Sequence, residues 1–225
     1  MRAAIFDFDG VLVNSEPAHF LALREALKPE GVAIDEVEYL SRYVAYDDRR
    51  AAASALAHHG RPATLERARA VAERKAELYE ELLREVPFFP GARELVAGLA
   101  ARMPLAIASG ARHVEIESIL RTGGLLDAFT AIVGADDVAR TKPDPEPYLA
   151  ALRALRVGTP GLEAAQCVAL EDTPPGIAAA RAAGMIVVGV AQTYEAPRLA
   201  TAHHVVPSLR GLDAEALLAL AARAA

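Results

Sequence analysis

The stretch Ile5-Phe6-Asp7-Phe8-Asp9-Gly10-Val11 stands almost at the start of a chain of 225 residues. The apolar run from Arg2 to Phe8, stopped by Asp9-Gly10, is the pattern of a short strand buried on both faces, as in the interior of a parallel sheet. Side chains alternate along a strand, so Asp7 and Asp9 project to the same side, and Gly10 lets the chain turn sharply. Two carboxylates held close together repel each other unless a cation joins them. Read alone, an Asp-x-Asp-Gly segment is either a solvated turn or half of a divalent-metal site.

Apolar runs of similar length recur at Pro104 to Ala108, Ala131 to Gly134, Gln166 to Leu170, Met185 to Val190 and His204 to Val206. Between them lie helical patterns at Gly91 to Arg102, Ala111 to Arg121, Glu146 to Leu155 and Gly176 to Ala183. Strands alternating with helices of that length predict parallel βαβ units, an α/β fold with a doubly wound parallel sheet. Residues 14–87 break the rhythm. They predict helices at Pro17 to Leu27, Asp47 to His59 and Leu65 to Arg84, separated by turn signals at Pro29-Glu30-Gly31 and Gly60-Arg61-Pro62. The domain organisation expected is therefore a Rossmann-like core of residues 1–13 and 88–225 carrying a helical cap of residues 14–87. The insert follows the carboxyl end of the first strand, where ligands bind in open α/β sheets, so it is placed to act as a lid.

Hydrophobic residues make up 53% and charged residues 24%, which supports a sizeable core and excludes disorder. No apolar run approaches the length of a membrane span. The first residues lack the pattern of a signal peptide, and a cytoplasmic protein is expected, with no membrane partner. The formal charge of −6 makes nucleic acid a poor partner, while a small anion needs only a local cation. The single cysteine, Cys167, sits in an apolar run and reads as strand filler. The pairs His58-His59 and His203-His204 lack carboxylates or cysteines at metal spacing and read as surface and strand-end residues.

Polar residues also close three later elements. Ser109 follows Leu105-Ala106-Ile107-Ala108, Lys142 opens Thr141-Lys142-Pro143-Asp144-Pro145, and Glu171-Asp172 follows Cys167-Val168-Ala169-Leu170. Singly, each is a turn, a loop lysine or a strand end. Together, in this order, the four segments resemble the motifs of the haloacid dehalogenase superfamily, in the branch that contains β-phosphoglucomutase and small sugar-phosphate phosphatases. Asp7-Phe8-Asp9-Gly10-Val11-Leu12 matches the first motif, Ser109 the second, Lys142 the third, and Glu171-Asp172-Thr173 with Gly176 the fourth.

The resemblance implies a Mg²⁺-dependent phosphatase acting on a small phosphorylated metabolite, a sugar or polyol phosphate, through an aspartyl phosphate. Asp7 would attack phosphorus, and Asp9 would protonate the leaving alcohol and then activate the next nucleophile. Mg²⁺ would be held by the Asp7 carboxylate, the Asp9 backbone carbonyl and Asp172, with Glu171 in support. Ser109 and the adjacent Gly110 would bind the phosphoryl group, and Lys142 would pair with both phosphate and Asp7. Dehalogenases of this fold typically lack the second aspartate, so Asp9 directs the expectation to phosphate esters.

Substrate choice in this branch lies in the insert. Ser15 and His19, in Asn14-Ser15-Glu16-Pro17-Ala18-His19, stand where β-phosphoglucomutase has a Thr and a His that couples closure to the acid-base Asp; Ser15 also reads as a helix N-cap. Arg49 is the candidate for the arginine with which relatives grip a distal phosphate, and the resemblance puts glycines where Ala45 and Arg50 fall. A mutase of the β-phosphoglucomutase type is the alternative, but Leu23 replaces a tryptophan and Ser109-Gly110-Ala111-Arg112 departs from its pattern. A catalytically weak, phosphometabolite-binding regulator is the alternative of another class. A monomer or weak homodimer is expected.

Overall fold

The computed structural model describes residues 1–44, 46–83 and 86–224. These divide into two compact units, Met1–Asn14 with Pro87–Ala225, and Ser15–Val86.

The first unit holds six strands: β1 (Ala3–Phe6), β2 (Leu105–Ala108), β3 (Ala131–Val133), β4 (Cys167–Glu171), β5 (Ile186–Val190) and β6 (His204–Val206). All neighbours are parallel and the order is β3-β2-β1-β4-β5-β6. Every residue of β1, β2, β4 and β5 is buried, as strands covered on both faces must be. Alternation divides β1 between the faces. Ala3 and Ile5 pack with Tyr148, Leu152 and Leu155, whereas Phe6 meets Phe129 edge-on at 6.0 Å. Tyr148 and its neighbours belong to one of the helices that connect the strands, which are α5 (Ala92–Ala100), α6 (His113–Thr122), α7 (Glu146–Gly158) and α8 (Pro174–Ala182). The periodicity located all four, but missed the closing helix α9 (Ala214–Ala222), whose run of Ala and Leu carries no turn signal beyond its Asp213 cap. Cys167 is buried in β4 as expected.

The second unit is helical: α1 (Glu16–Leu27), α2 (Glu36–Arg42), α3 (Asp48–His58) and α4 (Leu65–Leu82). The sequence placed three of them; the expected C-terminal residue of the last, Arg84, lies outside the described residues, as does Ala45. Helix α2 is short and buries only Tyr39, so it shows no periodic apolar face; its one legible signal is Asp35, which accepts from the Glu38 amide at 2.8 Å. The core of this unit is built from Leu23, Leu27, Tyr39, Tyr43, Leu56 and Val71, with small residues such as Ala26, Ala52 and Ala55 letting helices approach closely.

The chain leaves and re-enters the sheet unit at one place. The Asn14 amide donates to the Pro87 carbonyl at 2.9 Å, the Phe89 amide to Leu12 at 2.9 Å, and Val13 forms a bridge with Phe88. Among the described residues no helix is long and apolar enough to cross a membrane.

Candidate active site

The strand order reverses beside β1, and the residues expected to carry chemistry follow the carboxyl ends of the strands around that point. The register pairs Phe6 with Leu170 on one side and with Ile107 on the other. Asp7, Glu171 and Ser109 thus stand at the ends of three adjacent strands. The Asp7 amide continues the ladder to the Leu170 carbonyl at 2.9 Å, so the backbone itself holds Asp7 beside Glu171.

The side chains converge as closely as the backbone does. Lys142 Nζ lies 2.8 Å from Asp7 Oδ1 and 2.6 Å from Glu171 Oε1, with little exposure of any of the three. Asp7, Glu171 and Asp172 are buried and each offers an oxygen within 4.8 Å of the others. Glu171 is wholly enclosed. Its Oε1 accepts from Lys142 and from the Tyr148 hydroxyl at 2.9 Å, and its Oε2 accepts from the amides of Asp172 and Thr173 and the Thr173 hydroxyl. Asp172 Oδ2 accepts from the Thr193 hydroxyl, while Asp172 Oδ1 is buried without a hydrogen-bond partner.

One ammonium cannot neutralise three carboxylates. Burial, then the charge of Glu171, pushes the Asp7 carboxyl well above the usual range against the pull of Lys142. The same two causes push Asp172 up to about 7. Lys142 is affected most by burial, which opposes its charge, yet Asp7 and Glu171 outweigh that and hold it protonated. The cluster is a buried excess of negative charge, a cost that a cation would offset.

Two glycines are required by this crowding. A Cβ on Gly176, near the start of α8, would overlap the Glu171 carboxylate, and one on Gly10 would overlap Asp172, where φ of +79° already disfavours any other residue. Thr173 caps α8 through its hydroxyl, which accepts from the Gly176 amide at 3.1 Å.

Ser109 is buried, and its hydroxyl accepts from the Ala111 amide at 3.0 Å; Gly110 is exposed, with open space where a Cβ would be. Asp9 is half-buried in the loop after β1, bridged to Val13, and its carboxylate is outside the three-carboxylate cluster. Residues that the sequence reading missed are Tyr148, which holds Glu171, Thr193, which holds Asp172, and Gln192, whose Nε2 donates to the Gly10 and Val11 carbonyls at 3.1 Å. Gln192-Thr193 could have been found, since it follows the apolar run Met185 to Val190 as Ser109 and Asp172 follow theirs. Tyr148 is hidden on a helix.

In the helical unit His19 is half-buried, stacked on Tyr79 at 4.1 Å between ring centroids. Its Nδ1 lies 2.9 Å from Lys75 Nζ, and Lys75 reaches Asp48 Oδ1 at 2.6 Å. Lys75 is itself buried, only 4% exposed, on a helix whose other basic residues are more open. Ser15 occupies the N-cap position of α1 but makes no capping bond; its ψ of −16° is already helical, and Pro17 removes one amide it could cap. Arg49 is exposed in the first turn of α3, and it is Asp48, not Arg49, that lines the cavity of this unit. The reading that His58-His59 lacks a carboxylate is also corrected, since α2 brings Glu38 Oε1 to 2.9 Å from His59 Nε2.

Comparison with known proteins agrees with this architecture. The chain is 34% identical over 221 residues to validoxylamine A 7'-phosphate phosphatase of Streptomyces hygroscopicus subsp. limoneus, covering 92% of this chain and 94% of that protein. It is 31% identical to the β-phosphoglucomutase of Bacillus subtilis, covering 85% and 84%. The crystal structure of CbbY from Rhodobacter sphaeroides in complex with phosphate superposes with a TM-score of 0.78 at 28% identity, covering 94% of this chain and 96% of that one. The family described as haloacid dehalogenase-like hydrolase matches residues 1–184. With most of its length matched both by the family and by these relatives, the chain belongs to the haloacid dehalogenase-like hydrolases.

Proposed function

We propose that the protein is a Mg²⁺-dependent phosphatase of a small phosphorylated metabolite, working through a phosphorylated Asp7. The observation that carries this reading is the buried cluster in which Lys142 faces Asp7, Glu171 and Asp172 while Asp172 Oδ1 has no partner. Phosphoryl transfer needs an in-line nucleophile, neutralisation of the phosphate charge and a proton for the leaving group. The cluster supplies the first two.

The donor set fits a hard divalent cation: carboxylate oxygens, an orphaned one among them, and no nitrogen or sulfur. Asp7 and Asp172 would hold Mg²⁺ with the Asp9 carbonyl. Both Glu171 oxygens are already engaged, which suits it to orienting Lys142 and the Asp172 loop. Bound there, the ion would supply charge neutralisation for the phosphoryl oxygens.

The chain's own residues do the rest. Lys142 and the Phe8 amide, at 2.7 Å, both hold Asp7 Oδ1, so Oδ2 is the oxygen left to attack. As the Oδ2–P bond forms, the ester P–O bond breaks and the leaving alkoxide takes a proton from Asp9. Asp9, now a carboxylate, removes a proton from water, whose oxygen attacks phosphorus, releases phosphate and regenerates Asp7. Ser109 and the Gly110 backbone would hydrogen-bond phosphoryl oxygens.

The test is Mg²⁺-dependent release of inorganic phosphate from a panel of sugar, polyol and glycolate phosphates, run beside conversion of β-glucose 1-phosphate to glucose 6-phosphate with a bisphosphate primer. Free phosphate from one or a few esters is expected. Isomerisation with little phosphate released would replace the phosphatase by a mutase.

The raised carboxyls also set a pH dependence. Without metal, folded Asp7 and Asp172 bind protons that the unfolded chain has released, so their contribution to stability is lost as pH rises from the usual carboxylate range through about 7. Mg²⁺ competes with those protons and restores the loss. Thermal melts with and without millimolar Mg²⁺ should show a larger metal-induced rise at about pH 8 than at about pH 5. Equal rises would show that these carboxyls do not take up the ion.

A further inference from the structure

We propose that Glu38, His58 and His59 form a binding site for a divalent transition-metal ion, Zn²⁺ being the best match, on the surface of the helical unit. The site shares no residue with the Asp7 cluster, and it stands whether or not the chain hydrolyses a phosphate ester.

The three side chains come from two helices. Glu38 lies in α2, His58 is the last residue of α3, and His59 is the C-cap that follows it. Each offers one ligand atom, and these atoms all lie within 4.8 Å of one another. His59 Nε2 stands 2.9 Å from Glu38 Oε1. Two ligands held side by side at about 2.1 Å from one ion are roughly 3.0–3.4 Å apart, the shorter value for an octahedral ion and the longer for a tetrahedral one. This pair therefore needs little movement to share an ion. The rings of His58 and His59 are 5.3 Å apart at 88°, so they do not stack, and the third ligand arrives by side-chain rotation of an exposed residue.

The bonds around Glu38 suit it to this role. The Tyr43 hydroxyl donates to Glu38 Oε1 at 2.5 Å, the same oxygen that meets His59. A donor held on a ligating carboxylate fixes its orientation, as the outer partners of metal ligands do. Among the described residues no lysine or arginine forms an ion pair with Glu38, so no fixed cation takes the place of an ion. A neutral His59 carries one ring proton, and moving it from Nε2 to Nδ1 frees the lone pair that the ion binds. Access is open, since His58 is exposed and the His59 side chain is 28% exposed.

Donor chemistry chooses the ion. Two imidazoles and one carboxylate favour Zn²⁺ and its neighbours Co²⁺, Ni²⁺ and Cu²⁺, whereas the oxygen-only Asp7 cluster favours Mg²⁺. Three protein ligands leave the remaining coordination positions to water. Binding would also stiffen the unit. Helix α2 buries only Tyr39 and exposes Val37 and Leu40, so it is lightly held, and an ion shared by Glu38 and the end of α3 ties it down.

The experiment titrates Zn²⁺ calorimetrically into the full chain in millimolar Mg²⁺, which keeps the Asp7 cluster from competing, and records thermal melts with and without Zn²⁺. The same measurements are made on His58→Ala, His59→Gln and Glu38→Gln. The natural sequence should take up about one equivalent with micromolar affinity and melt at a higher temperature when loaded. Each variant should bind that equivalent at least about tenfold more weakly and lose the rise in melting temperature. Uptake as tight in His58→Ala and His59→Gln as in the natural sequence places the ion elsewhere and overturns the site. Absence of uptake at micromolar Zn²⁺ overturns it as well. Glu38→Gln alters a residue bonded to Tyr43; if it does not fold, His58→Ala still decides, because that side chain is exposed and makes no hydrogen bond among the described residues.

Discussion

Asp7→Asn should reduce kcat by about 10⁴-fold while leaving a cooperatively folded protein, a loss of the size seen when a nucleophile is removed from a working site. The geometry makes this substitution unusually clean. Asp7 Oδ1 accepts both from the Phe8 amide and from Lys142, and an Asn carbonyl oxygen can keep both bonds. What changes is the position of Oδ2, where an amide nitrogen with no nucleophilic lone pair replaces the attacking oxygen. The fold should not suffer, because burial and Glu171 already disfavour charge on Asp7, and the amide removes one of three repelling carboxylates. Steady-state phosphate release and a thermal melt of the same preparation decide the point. Activity above about a hundredth of the parent would remove Asp7 from the attacking role.

Lys142→Met should act on stability as well as on turnover. It strips the ammonium from a pocket where Asp7 and Glu171 lie 2.8 and 2.6 Å away and Asp172 is close by. Removing one partner from a buried ionic cluster leaves uncompensated charge and costs about 3–5 kcal/mol. Protonation of the carboxyls can relieve that cost, so the deficit should grow with pH: the folded variant retains protons that the unfolded chain gives up, and loses stability as those protons leave. Melting temperatures at about pH 5.5 and about pH 8 measure it. A variant that matches the parent at the higher pH would mean that water or a rearranged side chain already screens the cluster.

Much of this was legible in the residues, for physical reasons that differ from part to part. The four inner strands announced themselves because a parallel strand buried on both faces cannot avoid an apolar run, and the half-buried edge strands β3 and β6 carry shorter ones. Asp7, Ser109, Lys142, Glu171 and Asp172 were legible because each breaks such a run or the loop after it. Helix α2 was not, since only Tyr39 is buried along its length, and no periodicity exists where there is no buried face. Tyr148 was hidden for the opposite reason. Its ring is ordinary core beside Leu152 and Leu155, and only the fold shows that its hydroxyl ends on Glu171. The surroundings of Arg49 could not be read from the loop sequence: with Asp47 capping α3, Asp48 takes the first helical position and lines the cavity of this unit, while Arg49 is exposed. Ser15 shows that a capping residue type does not ensure a cap once its backbone is helical.

The paired crossing between the two units has a consequence for how such a chain can be rebuilt. The ends left by excising residues 15–86 would be Asn14 and Pro87, already joined by a hydrogen bond of 2.9 Å and flanked by the Val13–Phe88 bridge. Closing that gap needs only a short turn, with little closure entropy, and the sheet keeps its chain path. The helical segment is thus a cassette plugged in at a single socket, and foreign cassettes could be spliced there without re-threading the strands that carry Asp7 and Asp172.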